Sequence, residues 1–552
     1  MLLGIDVGGT FTDAVLVEQG AIVDMAKVPT THQAILQGIL GALDKVLVPA
    51  MALKIERVVI SSTIVTNAIA EGQTEPVFLA IMSGPGLNPQ GLFPIEPYLA
   101  KGYVDHRGQI IVRESLEHAM VDKMAQGKKM AAISGKFAVR NQSNEVALAS
   151  DLQEYKFNKI FVGSQMSGEL NFVRRTNSAY FSAAVYHRFK NFVEQVEASL
   201  AQRQITAPIH VLKADGGTLP LAASLEQPIE GVFTGPAASV LGIEAIDPPE
   251  HCAISLDVGG TTTDIAFWEE GKPLMARKGA KVAGYNTSVR AFHMRSLGVG
   301  GDSAIVRTEK GFDVGPERAG QAAALGGDYA TLADALITAG RISFGDATAS
   351  REAIATYCHP GECPEKIAVV IIDAAVTKIA VAINEMLQEW SMQPVYTVDD
   401  IVQGNGFVPQ RLIGVGGGAP GLIAALGEKM HLPVEIPQGA MVANAIGAAL
   451  AKPTLTATLR CDTTEGYYLI PEAHIKAKIS KSFGRCQAEE VLRKYLLAAA
   501  GQWQMEANKT EIIAYEEFPT IHNYVTSGKI IYAKMQLQPG ILFPVVAREV
   551  AF

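Results

Sequence analysis

The chain has 552 residues, 48% of them hydrophobic and 19% charged, the make-up of a globular protein of about three to four domains with a sizeable core. A net charge of −9, with no Lys/Arg block and no aromatic–basic interleaving, argues against a nucleic-acid partner. No leader precedes the first apolar strand and no apolar run reaches about 18 residues, so no membrane association is expected, and five scattered cysteines (Cys252, Cys358, Cys363, Cys461, Cys486) suit a reducing cytoplasm.

In chain order, residues 2–5 form a strand that ends at Asp6, turns through Gly-Gly-Thr-x-Thr-Asp and returns as a second apolar run. A third strand is expected over 22–28, a helix through Ile35, Ile39 and Leu43, and a strand over 57–61. Residues 62–70 open a helix with Thr63, Thr66 and Asn67 near its start, and the strand 77–82 ends in Ser83-Gly84-Pro85-Gly86. This alternation is that of an α/β layer. His106, between Asp105 and Arg107, is a polar cluster that reads as a surface loop in preference to a substrate contact. A long amphipathic helix follows over 179–200, then the strand 209–213 delivers Asp215-Gly216-Gly217, and Thr234-Gly235-Pro236-Ala237 opens another helix.

From Ile254 the pattern begins again. A glycine loop, Gly298-Val299-Gly300-Gly301-Asp302, is followed by a loop at Val314-Gly315-Pro316-Glu317 and by a helix over 367–390, whose apolar run is broken by Asp373 and Lys378. Cys358 and Cys363 have no second ligand pair at zinc spacing, so the segment between them reads as a loop with free thiols. The strand 411–415 enters Gly416-Gly417-Gly418, a helix runs through Leu426, and a strand over 433–436 and a small-residue helix over 441–450 follow. Residues 453–552 read as an α+β module with one helix, 488–500, and no chemical motif.

The feature that carries function is a duplication. Around Asp6 the chain reads IDVGGTFTDAVLVEQG and around Asp257 LDVGGTTTDIAFWEEG, aligning without a gap. Each copy is a β-hairpin whose bend offers carboxylates, hydroxyls and bare backbone. Glycines let main-chain N–H groups approach an oligophosphate, and a carboxylate just before the bend can hold Mg²⁺ through its waters. Asp6, Asp13, Asp257 and Asp264 are therefore the candidate catalytic carboxylates, with Asp6 and Asp257 the metal pair. Gly8, Gly9, Thr10 and Thr12, with Gly259, Gly260, Thr261 and Thr263, are the candidate phosphate contacts. Gly414 to Ala419 also fits a dinucleotide fingerprint with Glu435 about 20 residues on. Beside two phosphate hairpins, Gly416, Gly417 and Gly418 are preferred as an adenosine loop, and NAD is the rival. Walker A, nucleophile-elbow and H-E-x-x-H motifs are absent.

The order hairpin, hairpin, Gly-Gly-Gly resembles the phosphate and adenosine motifs of the actin, heat-shock chaperone and sugar-kinase ATPase superfamily. Within it the chain is similar to the hydantoinase A/5-oxoprolinase family, through Gly4 to Asp13, Thr63 to Ala68, Asp215-Gly216-Gly217, Thr234 to Ala237, Asp257 to Asp264, Val299 to Ser303 and Val314 to Gly320. The resemblance spans about residues 1–452 and implies two duplicated actin-like lobes of α/β class around a nucleotide cleft. Expected units are residues 1–245, 246–452 and an appended 453–552. It adds Gly300 and Gly301 to the nucleotide contacts and implies ATP and Mg²⁺ as cofactors. It further implies phosphorylation of a cyclic amide or carbonyl substrate held near Thr63, Thr66 and Asn67, and a separate B-type subunit that completes hydrolysis. Where the family carries His-Gly before Thr63, this chain has Ile60-Ser61, so no role for that histidine carries over. An ATPase that regulates a protein partner and a small-molecule kinase are the alternatives.

Overall fold

The computed structural model describes residues 1–30, 35–47, 49–309, 311–392, 406–503, 505, 509–522 and 524–545. The expected strand 22–28 extends over Ala21–Pro29, and Leu2–Val7 and Phe11–Glu18 form the first hairpin with Asp6 opposite Asp13. These strands belong to a six-stranded sheet in the order Thr218–Pro220, Ile209–Leu212, Arg57–Ser62, Leu2–Val7, Phe11–Glu18, Ala21–Pro29. The parallel pairing of Leu2–Val7 with Arg57–Ser62 sets Asp6 beside Ser61. Both faces are covered, so the strands are buried almost throughout and read as continuous apolar runs.

A second sheet repeats the arrangement. Ala253–Val258 pairs antiparallel with Thr263–Glu269, setting Asp257 opposite Asp264, and parallel with Arg411–Val415 on its other side. The duplication visible in sequence is thus a duplication of topology: an Asp-bearing strand flanked by its hairpin partner and by a parallel neighbour. Met294–Leu297 and Val434–Glu435 extend this sheet. A four-stranded sheet that includes Val77–Met82 and Met130–Gly135 is inserted after the first hairpin region.

Two helices join the sheets. Thr234–Ile246 packs among second-sheet residues such as Trp268, Ile413 and Val415. Ala443–Leu450 lies with Val15 and Val17 of the first sheet. Glycine makes their approach possible: a Cβ on Gly447 would stand 2.0 Å from the Ala238 carbonyl oxygen, and one on Gly242 would stand 2.1 Å from that of Ala443.

The helix Pro364–Ser391 is long and apolar enough to cross a membrane by composition alone, and half of its most apolar window is buried. Its stripe through Ile371, Ile372, Val376, Ile379 and Ile383 forms the core of the second unit. Asp373 lies on the other face, paired with Lys429 at 2.7 Å. Of the two charges that interrupt the run in sequence, Asp373 thus lies on the solvent side, while Lys378 is half-buried and donates to the Val314 carbonyl at 2.9 Å.

The structure corrects the reading of Val314 to Glu317 as a loop. These residues lie within the strand Gly311–Arg318, which pairs antiparallel with Ser303–Thr308: Val314, buried against the second core, pairs with Ile305, and the Gly-Pro signal appears as a break in register over residues 315–317. The long helix begins at Phe172, earlier than expected, since the Asn171 side chain accepts the Arg174 N–H at 3.2 Å and caps it.

The C-terminal segment is α+β as expected, a five-stranded sheet carrying the helix Arg485–Gln502, with Leu492 and Leu496 packed on Leu459 and Ile531. Residues 504, 506–508, 523 and 546–552 of that segment lie outside the described residues. It rests on the inserted part of the first unit through Lys534 and Glu169 at 2.6 Å, and through the Gly168 N–H donated to Glu472 at 2.9 Å.

Candidate active site

The two hairpin bends stand face to face. A Cβ built on Gly260 would lie 2.4 Å from Thr10 Oγ1, and one on Gly9 would lie 3.7 Å from Thr261 Oγ1. Each bend is closed by a backbone bond, Gly8 N–H to the Phe11 oxygen at 3.0 Å and Gly259 N–H to the Thr262 oxygen at 2.9 Å. The N–H groups of Gly9, Thr10, Gly260 and Thr261 donate to no protein acceptor among the described residues. Two facing loops with free amide donors form a cradle for an anionic chain of phosphates.

Beneath the bends lie the carboxylates. Asp6, Asp13 and Asp257 are buried, and Asn444 donates to both Asp6 Oδ2 at 3.3 Å and Asp257 Oδ2 at 2.9 Å. One amide thus ties the two duplicated aspartates together across the molecule. Burial, reinforced by the Asp13 and Asp257 charges and opposed by Ser61 and Asn444, raises the Asp6 carboxyl to about 7. Burial with the Asp257 and Asp6 charges raises Asp264 to about 7 as well. Asp257 is raised by burial in the same direction. Asp6 Oδ1 and Asp264 Oδ1 are buried without a hydrogen-bond partner.

Crowded, unsatisfied carboxylates of this kind are stabilised by a cation, so the residues fit Mg²⁺. Among the described residues no group of three or more His, Cys, Asp or Glu is placed to hold one ion. A metal at Asp6 and Asp257 would accordingly draw most of its ligands from water and phosphate, the usual habit of Mg²⁺. Asp13 differs from the others because Lys27 lies 2.7 Å away, and its attraction opposes the burial that raises this carboxyl.

The remaining expected residues separate into cradle and support. Thr12 and Thr263 are fully buried; Thr12 Oγ1 lies 2.9 Å from Thr30 Oγ1, and Thr263 donates to the Val299 carbonyl at 2.7 Å. The strand alternation that turns Asp13 and Asp264 one way turns these threonines the other, which corrects their reading as phosphate contacts. Gly300 and Gly301 sit under the second bend, where a Cβ on Gly300 would stand 2.6 Å from the Gly260 oxygen and Gly301 N–H already donates to Gly259 at 3.0 Å. They shape the bend. Asp302 accepts from Thr10 of the first hairpin at 3.2 Å and pairs with Arg318 at 2.8 Å, linking three separate motifs.

Gly416 and Gly418 pack against the second Asp-bearing strand, a Cβ on Gly416 falling 2.6 Å from Asp257 Oδ1, while Gly417 is exposed with an undonated N–H. Glu435, the acidic residue of the dinucleotide reading, is paired with Arg411 at 2.6 Å.

Thr63, Thr66 and Asn67 are engaged locally. Thr63 donates to the Val7 oxygen at 3.4 Å, Asn67 Nδ2 donates to Thr63 at 3.2 Å, and Thr66 Oγ1 accepts the Phe233 N–H at 3.0 Å. As expected, the three lie at the start of the short helix Ile64–Ala70, with Thr63 its N-cap and Thr66 and Asn67 its third and fourth residues. Asn444, Lys27 and Arg318 were not singled out from sequence. Asn444 had a signal, being the one polar side chain in the helix Ala443–Leu450.

Two α/β sheets, each carrying a copy of the Asp hairpin at their junction, make an actin-like fold. The chain belongs to the hydantoinase/oxoprolinase family: its N-terminal-region model matches residues 2–156 and its main model residues 175–457. Caprolactamase subunit alpha of Pseudomonas jessenii is 24% identical over 383 residues, covering 62% of this chain and 55% of that one. The 5-oxoprolinase of Saccharomyces cerevisiae is 24% identical over 271 residues, 45% of this chain and 21% of its own length. The chain thus spans about half of the first relative and a fifth of the second. In fold it is similar to the ATP-dependent caprolactamase of Pseudomonas jessenii, with a TM-score of 0.68 at 19% identity over 99% of this chain and 89% of that one. Nucleotide-free acetone carboxylase gives 0.66 at 16% over 98% and 88%.

Proposed function

We propose that this chain is the ATP-splitting component of an ATP-dependent amidohydrolase that phosphorylates the carbonyl oxygen of a small cyclic amide or related carbonyl compound. The observation that carries the reading is the pair of facing bends with free N–H donors, set over two aspartates that share Asn444. Gly9, Thr10, Gly260 and Thr261 would cradle the phosphates, and Gly416 to Gly418 would adjoin the adenosine. Mg²⁺ held by Asp6 and Asp257 would supply charge neutralisation on the phosphate oxygens. Phosphoryl transfer asks for positioning and charge compensation more than covalent help, which this chain's rigid strands and buried carboxylates are built to give. Phosphorylating an amide oxygen breaks the resonance that protects the C–N bond. Similarity to caprolactamase subunit alpha, to a 5-oxoprolinase and to an ATP-dependent caprolactamase supports ATP use, a cyclic amide substrate and a subunit arrangement.

In the same reading residues 1–245 and 246–452 act as two lobes, residues 453–552 as an appendage, and a separate B-type subunit opens the ring. The five cysteines are free, which suits a cytoplasmic setting.

The test is steady-state phosphate release from Mg·ATP with and without hydantoin, 5-oxoproline and caprolactam, followed by product analysis. Slow ATP hydrolysis stimulated by one of these, with no ring-opened product until a B-type subunit is added, is expected. Asp257→Ala should reduce turnover by orders of magnitude, since the charge on the phosphates then goes unbalanced. Near-normal turnover in that variant, or stimulation by a protein partner alone, overturns the reading.

A further inference from the structure

Away from the hairpins, three arginines converge on one cleft. Arg107 comes from the loop whose Asp105-His106-Arg107 stands out in sequence, Arg140 from the same inserted part, and Arg460 from the C-terminal module. Together with Asp462, Tyr467 and Leu469 they line a shallow, open cleft. None of the three forms an ion pair among the described residues. Arg460 donates its Nε to the Gly168 oxygen at 2.8 Å and lies with its guanidinium 4.7 Å from the Tyr532 ring centroid. Arg140 Nε is buried without any partner.

Asp462 is the one carboxylate of the lining, and its Oδ1 already accepts two backbone N–H groups, from Thr464 at 2.9 Å and Glu465 at 3.2 Å. Asp105 acts on Arg140, and Glu472 and Glu169 act on Arg460, from outside the lining. Burial pulls the Arg460 guanidinium down to about 10, with Arg140 acting the same way and Tyr532, Glu472 and Glu169 opposing it.

We propose that this cleft is a second ligand site, specific for a small oxyanion, a carboxylate or a phosphate, gripped by Arg107, Arg140 and Arg460. Guanidinium forks match the planar face of either group bidentately, and Leu469 with the Tyr467 ring offers an apolar wall for the rest of the molecule. The ligand would touch both the inserted part of the first unit and the C-terminal module. Its binding would add to the polar contacts that seat the module, among them those of Gly168, Glu169, Gln142 and Arg290.

The full chain would be titrated calorimetrically with sodium phosphate and, separately, with sodium succinate, at matched ionic strength and without nucleotide. Expected is a saturable site that Arg140→Gln and Arg107→Gln each weaken by about tenfold or more, with Mg·ADP affinity unchanged. Phosphate binding alone would assign the site to phosphate compounds, and succinate binding to carboxylates. Arg107 is exposed, so Arg107→Gln decides the matter even if Arg140→Gln fails to fold. Absence of saturable binding by both anions overturns the proposal. So does binding that Arg107→Gln leaves within about twofold of wild type, which would place the anion at the hairpins instead.

Discussion

Asn444 is the residue on which the two halves of the site meet, since its single amide serves carboxylates 251 positions apart in the chain, Asp6 and Asp257. Asn444→Leu removes that donor and leaves two buried carboxylates to face each other with less compensation. ATP turnover is expected to fall about 10²-fold, the scale seen when one preorganised donor is lost, with the circular dichroism of the fold retained. Turnover within about twofold of wild type would show that the amide is a bystander. His293 supplies a prediction of a different kind. Burial, helped by Arg295 and opposed by Glu389, lowers its imidazole to about 4 from 6.5, its ring packs on Phe267 and Trp390, and Nε2 has no partner. The unfolded chain takes up this proton below about pH 6.5 and the folded chain only near pH 4. Stability present at neutral pH is therefore lost as pH falls through that window, and His210 shifts the same way. His293→Phe should shrink the loss of unfolding free energy between pH 7 and pH 5 by about 1 to 2 kcal/mol. Urea denaturation at the two pH values measures it, and an unchanged difference refutes it.

At the scale of elements, the crossing of Thr234–Ile246 with Ala443–Leu450 fixes how the two sheets meet. Gly447 sits where any side chain would strike the Ala238 carbonyl, at 2.0 Å from a Cβ. Gly447→Val should destabilise the protein by about 1 to 3 kcal/mol through overpacking, and a denaturation midpoint equal to wild type would contradict this close approach. The elements themselves were largely legible. Both hairpins, the strands 77–82 and 411–415, and the helices after Thr234 and Ala419 lie where periodicity and turn residues put them. What failed was side-chain direction at the bends. Thr12 and Thr263 look like phosphate contacts in a string of Gly, Thr and Asp, yet the pleat aims them into the interior. Gly315-Pro316 reads as a turn because the burial of Val314 that holds the strand comes from a helix far along the chain.

For the whole molecule, a site split between two sheets joined by two helices implies closure upon nucleotide. Small-angle scattering with saturating Mg·ATP should show a smaller radius of gyration than the free chain, and superimposable curves would indicate a rigid scaffold. The sequence by itself determined the duplication, the α/β class and the family, and placed the four aspartates in the two hairpins, because these rest on local chemistry: a strand, a tight bend and a return. Tertiary structure alone decided that Asn444 bridges Asp6 and Asp257, that Asp302 joins Thr10 to Arg318, and that Arg107, Arg140 and Arg460 share one cleft. Such partners are separated by tens to hundreds of residues. Their meeting depends on how helices cross and sheets pack, which is set by the fit of many small side chains at once and leaves no periodic mark along the chain.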